Sequence, residues 1–154
     1  MAFLFDTDAI SEVLKKRPAP RYLRWLAEVP RAEQFTSAVS IGELYRGAFR
    51  STEPSRHLEN IEGRVLPSVT VLPYDLAVAR VYGEIQAHLA GAGRTVADAD
   101  LQIAATAIHH QLELVTGNLR HFDRVPGIRI RRALVEARLA LVDTQPRSRL
   151  NVLP

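Results

Sequence analysis

One hundred and fifty-four residues correspond to one domain, and 47% hydrophobic residues with a mean hydropathy of −0.05 describe an ordinary packed core rather than a membrane span or a disordered chain. The absence of cysteine excludes a disulfide framework, a cysteine nucleophile and any thiolate metal site, and the N-terminus has no basic region before its apolar stretch. Both features predict a cytoplasmic protein that works as the intact chain, with no membrane partner. The formal charge of +3 divides unevenly. Residues 120–154 carry eight Arg against Asp123, Glu136 and Asp143, a local +5, and residues 1–119 carry 12 basic and 14 acidic side chains, or −2. No lysine follows Lys16, so the C-terminal surplus is entirely Arg, which forks onto phosphate or an acidic partner.

Ala2 to Phe5 reads as a strand ending at Asp6, with Thr7 and Asp8 as helix caps before Ala9 to Lys16. Pro20 opens a second helix with an inward stripe at Leu23 and Leu26, flanked by Tyr22 and Trp25. Phe35 to Val39 is strand-like, Ser40 begins a helix through Arg50, Pro54 to Leu66 is helical, and Val69 to Leu72 is a β-branched strand. Val78, Tyr82, Ile85 and Leu89 give Asp75 to Ala90 a helical stripe. After a Gly91–Thr95 loop, Ala97 to Gln111 is a helix of low polarity on most faces, Leu114 to Thr116 and Ile128 to Ile130 are short strands, and a polar tail begins near Asp143. Strands alternating with helices predict an α/β fold with a mainly parallel central sheet flanked by helices on both faces.

In such sheets the binding crevice lies beyond the carboxyl ends of the strands. Asp6, Glu43, Asp98 and Asp100 all fall at this predicted edge, and Asn118 follows the strand ending at Thr116. Clustered carboxylates repel and stay ionised together only if a cation compensates, and an all-oxygen donor set suits Mg²⁺ or Mn²⁺. The five His show no zinc-binding spacing. Each acid also has a structural role open to it. Asp6 and Asp8 suit a helix cap, Ser40-Ile-Gly-Glu43 reads as a capping box, and Asp98 and Asp100 suit a helix dipole.

The segments Phe-Leu-Phe-Asp6-Thr7-Asp8, Val39-Ser40-Ile41-Gly42-Glu43-Leu44, Ala97-Asp98-Ala99-Asp100-Leu101-Gln102-Ile103-Ala104-Ala105 and Leu114-Val115-Thr116-Gly117-Asn118-Leu119-Arg120-His121-Phe122 together resemble the PIN-domain ribonucleases, most closely the VapC-type toxins of bacterial toxin–antitoxin pairs. The resemblance covers about residues 2–132 and implies a single PIN-like domain over 1–142 with a polar tail over 143–154. It implies that Asp6, Glu43 and Asp100 hold Mg²⁺ or Mn²⁺, that Asp98 is an additional catalytic acid, and that a metal-bound water attacks an RNA phosphodiester. Asn118 occupies a position that is Asp in some members. Thr7 and Asn118 are auxiliary candidates for holding substrate or water. Arg94, Arg120 and the Arg-rich end are candidates for steering RNA to an acidic pocket. The resemblance also implies a cognate antitoxin partner and a homodimer, for which the Asp75 to Ala90 stretch and the Leu23/Trp25/Leu26 region are candidates alongside plain core packing.

Two alternatives stand beside this reading. Asp6-Thr7-Asp8-Ala9-Ile10 nearly matches the opening of haloacid-dehalogenase-type phosphatases, with Asp6 as nucleophile, although that family's late Lys has no counterpart here. A non-catalytic α/β domain that binds a partner would use the same acids only as caps.

Overall fold

The computed structural model describes residues 1–144; the tail expected over 143–154 lies almost wholly outside them, as do Arg147 and Arg149. Five strands form one parallel sheet: β1 (Phe3–Phe5), β2 (Gln34–Ser37), β3 (Thr70–Leu72), β4 (Glu113–Val115) and β5 (Ile130–Arg131), in the order β3-β2-β1-β4-β5. The helices are α1 (Thr7–Leu14), α2 (Pro20–Ala27), α3 (Ala38–Arg50), α4 (Pro54–Asn60), α5 (Leu76–Gly91), α6 (Asp98–His109), α7 (Leu119–Phe122) and α8 (Ala133–Asp143). Two apolar clusters cover the sheet: one joins Phe3 and Phe5 to α1, α2 and α8, and the other joins Leu4 and Leu114 to α5 and α6. Alternate residues of β1 thus face opposite layers, and all three are buried, as a sheet covered on both sides requires. No described helix is long and apolar enough to cross a membrane.

The helical stripe of α5 packs inward, with Val78, Ile85 and Leu89 buried against α6. Trp25 is likewise part of the interior: its ring lies 5.3 Å from Phe3, 5.8 Å from Tyr22 and 6.1 Å from Phe5. The apolar stripes of both candidate dimer regions thus contribute to the core, with Leu23, Trp25 and Leu26 half-buried and the opposite face of α5 exposed. Several boundaries differ from expectation: α1 ends at Leu14 rather than Lys16, the helical stretch expected over Pro54 to Leu66 is α-helix only to Asn60, and the strand expected at Ile128 to Ile130 is Ile130–Arg131. The strand β2 stops at Ser37 rather than Val39, because the Ser37 hydroxyl accepts the Ser40 amide at 3.0 Å and starts α3 earlier. The cap of α1 is Asp6, not Thr7 or Asp8. The stretch between the last expected strand and the tail forms a further helix, α8, whose Leu134 and Ala137 are fully buried. Strands β2 and β3 leave β1 on one side, and β4 and β5 on the other. The order reverses between β1 and β4, which opens a crevice beyond their carboxyl ends.

Candidate active site

Asp6 stands at that reversal. Its amide donates to the Val115 carbonyl at 3.1 Å, its Oδ1 accepts the Ala9 amide at 2.8 Å, and it is 3% exposed. Burial pushes its carboxyl up to about 7; hydrogen bonds with the Thr116 hydroxyl and the Ala9 amide oppose this, and the charges of Asp8 and Asp100 reinforce it. The capping role is real, but capping alone does not require burial beside further acids.

Thr7, at the start of α1, donates its hydroxyl to Glu43 Oε1 at 2.6 Å. Glu43 therefore lies in the second turn of α3 and faces α1; the Ser40–Glu43 capping box expected from sequence does not form, because Ser37 already occupies the cap. Asp100, in the first turn of α6, is partly buried, which raises its carboxyl above the usual range. His121 Nδ1, 2.9 Å from Asp100 Oδ2, acts the other way, and the charge of Glu43 raises it further. Asp6, at the end of β1, Glu43 of α3 and Asp100 of α6 thus line one edge, with Asp100 within the field of both other acids.

The other candidates are arranged around this centre. Asp98 is exposed and accepts a hydrogen bond from the Tyr82 hydroxyl at 2.8 Å, so it is not drawn into the centre. Asn118 is exposed at the start of α7; its amide donates to Thr116 Oγ1 at 2.9 Å, and its side chain makes no capping bond. Arg94 and Arg120 are exposed. Part of the C-terminal Arg surplus is engaged within the protein. Arg131 bonds Glu113 at 2.8 Å, Arg129 bonds the Gln111 carbonyl at 2.6 Å, and Arg138 pairs with Asp8 and Glu12. Two polar neighbours, Thr116 and His121, escaped the sequence reading as site residues. The signal was present: Thr116 ends β4 two residues before Asn118, and His121 lies three residues after it, about one turn along α7.

No group of three acidic or His side chains among the described residues is gathered tightly enough to hold an ion as arranged. The chemistry nevertheless suits a hard cation. Three carboxylates approach from three segments, the most buried one is raised by burial and further by the charges of Asp8 and Asp100, and Thr7 and His121 hold Glu43 and Asp100 through one oxygen each. The cations near this edge, Arg138 and Lys15, are committed to Asp8 and Glu12.

A family model described as PIN domain matches residues 3–128. The tRNA(fMet)-specific endonuclease VapC of Shigella flexneri is 38% identical over 129 residues, covering 84% of this chain and 96% of that protein. Its Salmonella typhimurium counterpart is 35% identical over 130 residues, with the same coverage. Among solved structures, DNA-bound VapBC from Salmonella typhimurium superposes with a TM-score of 0.78 at 35% identity, over 85% of this chain and 97% of that one.

Proposed function

The chain belongs to the PIN domain family, and from that premise we propose that it is a metal-dependent ribonuclease, the toxin of a toxin–antitoxin pair. The observation that carries the reading is the convergence of Asp6, Glu43 and Asp100 at the β1/β4 reversal without a paired Arg or Lys among the described residues. Family membership over residues 3–128 also sets aside the phosphatase alternative.

Asp6, Glu43 and Asp100 would hold Mg²⁺ or Mn²⁺, which when bound supplies a nucleophile at neutral pH and counter-charge for the phosphodiester. The remaining chemistry belongs to the chain. Burial of Asp6 makes its negative charge unfavourable alone and a cation beside it favourable. The Thr7 hydroxyl and the His121 ring orient the Glu43 and Asp100 carboxyl groups, so the donors are held before substrate arrives. Asn118, exposed at the mouth, offers an amide to a phosphate or ribose. Arg94 and Arg120 offset an acidic pocket that would otherwise repel RNA. Asp98, tied to Tyr82, belongs to the rim of the site rather than its centre.

The relatives from Salmonella and Shigella are named for tRNA(fMet), which makes that tRNA the first RNA to test. The partner is a cognate antitoxin, as in the VapBC complex this chain resembles. A homodimer completes the proposal. With the stripe of α5 buried, its face would be the exposed Val71, Tyr74 and Leu76 at the β3–α5 corner. Cleavage of defined RNAs by the full chain in Mg²⁺ is the expected outcome; turnover of p-nitrophenyl phosphate without RNA cleavage would overturn the reading.

A further inference from the structure

Helix α8 begins after the family match ends at residue 128, yet it reaches back to the catalytic edge. Leu134 and Ala137 seat it in the core, and Arg138, one residue further, turns toward α1. Its Nη1 and Nη2 donate to Asp8 Oδ2 and Oδ1 at 2.8 and 2.9 Å. The same Nη2 and Nε donate to Glu12 Oε2 at 2.8 and 3.3 Å. Asp8 is next to Thr7 and two residues from Asp6, so the fork grips the first turn of the helix that carries the site.

A second observation places the β4–α7 loop on the same pair. A Cβ added at Gly117 would overlap Arg138 Nη1 and Asp8 Oδ2 and come within 2.9 Å of Arg138 Cζ. The backbone between Thr116 and Asn118 therefore lies flush against the Asp8–Arg138 pair, and any side chain at Gly117 would push that pair aside. Three segments distant in sequence thus meet at one guanidinium: the start of α1, the β4–α7 loop and α8. A bidentate fork fixes both distance and orientation, which a single ammonium cannot do. Nε, Nη1 and Nη2 of Arg138 are all engaged by carboxylates, so a phosphate could take both prongs of the fork only by displacing Asp8.

We propose that α8 clamps the catalytic edge and that Arg138 is a positioning residue for the ribonuclease, setting Asp6 and Thr7 relative to Thr116 and Asn118. The kinetic part of this proposal rests on the ribonuclease reading; the structural part does not. The test uses the full chain with Arg138→Met, Arg138→Lys, Gly117→Ala, and Leu134→Ala as a packing control in the same helix. Amide hydrogen exchange is followed at residues 7–9 and 116–119 well below melting, and kcat and KM are measured on one RNA. Arg138→Met is expected to speed exchange in both segments and to lower kcat on the order of 10- to 100-fold with KM unchanged, with Arg138→Lys restoring little. Gly117→Ala, which leaves every charge in place, should act in the same direction if Arg138→Met fails to fold. Leu134→Ala should lower the melting temperature while keeping kcat. Unchanged exchange at 116–119 in both junction variants would overturn the clamp, as would a kcat loss in Leu134→Ala matching that of Arg138→Met. A rise in KM alone would make Arg138 an RNA contact instead. If the wild-type chain cleaves no RNA, the ribonuclease reading fails, and the exchange measurement still decides the clamp.

Discussion

Two acids on and beside α1 lie six residues apart and meet opposite electrostatic conditions. Glu12 is as little exposed as Asp6, both at 3%. Around Glu12, however, Lys15 stands at 2.6 Å, Arg138 at 2.8 Å and the Ala19 amide at 2.9 Å. Burial alone would raise its carboxyl, and these partners outweigh burial and hold it down at about 2. Asp6 has a backbone amide and a hydroxyl but no cation, with two more carboxylates nearby, and stands at about 7. Similar solvent exposure thus accompanies opposite protonation behaviour, and two things separate the sites: Asp6 is more deeply desolvated, and the protein has placed its Arg and Lys beside Glu12. Glu12 and Asp8 are compensated from within and serve the fold. Asp6, Glu43 and Asp100 await compensation from outside, which is the condition of a binding site.

The largest expected break in that contrast is at the uncompensated site. Asp6→Asn and Asp100→Asn should each lower RNA cleavage on the order of 10²- to 10³-fold. Asparagine can still cap α1, and a buried charge is gone, so the melting temperature of metal-free Asp6→Asn should hold or rise. The compensated site should behave in reverse. Glu12→Gln removes the carboxylate that Lys15 and Arg138 face, and should destabilise the protein by on the order of 1–3 kcal/mol at pH 7, read from denaturant unfolding. Because the folded carboxyl is held down at about 2 against an ordinary value of 4.5, its contribution is present above 4.5 and fades as pH falls toward 2. The difference between wild type and Glu12→Gln should therefore shrink over that window, and a gap that stays constant would contradict the pairing.

Smaller effects sharpen the boundary of the site. Thr7→Val deletes the donor to Glu43 and should slow cleavage by about tenfold with little change in melting temperature. Asp98→Asn, which disturbs only an exposed contact with Tyr82, should cleave RNA at close to the wild-type rate.

Much of this arrangement was legible in the chain itself. The alternation of strands and helices gave the parallel sheet, because β-branched and apolar runs bounded by caps carry local signals. Placing the acids at strand ends then located the site. What escaped depended on contacts across long sequence distances. Which serine caps α3 is decided by where β2 stops pairing with β1, so the Ser40–Glu43 motif was misleading and Glu43 turned instead to Thr7. Lys15 is a local neighbour of Glu12, but the Ala19 amide and above all Arg138, which arrives from 126 residues away, complete its compensation through contacts the local sequence does not display. The same holds for the Arg-rich end, whose surplus read as a surface for phosphate, although Arg129, Arg131 and Arg138 are spent on internal partners.

The central claim is that the uncompensated acids are completed by a divalent cation that serves RNA cleavage. Its most direct test is the cleavage rate of the full chain on a defined RNA, first in EDTA and then with Mg²⁺ or Mn²⁺ restored. Loss of cleavage in EDTA and recovery with either ion in wild type, with no recovery in a folded Asp100→Asn, is the predicted result. Cleavage that persists in EDTA, or an Asp100→Asn variant that recovers as wild type does, would contradict it.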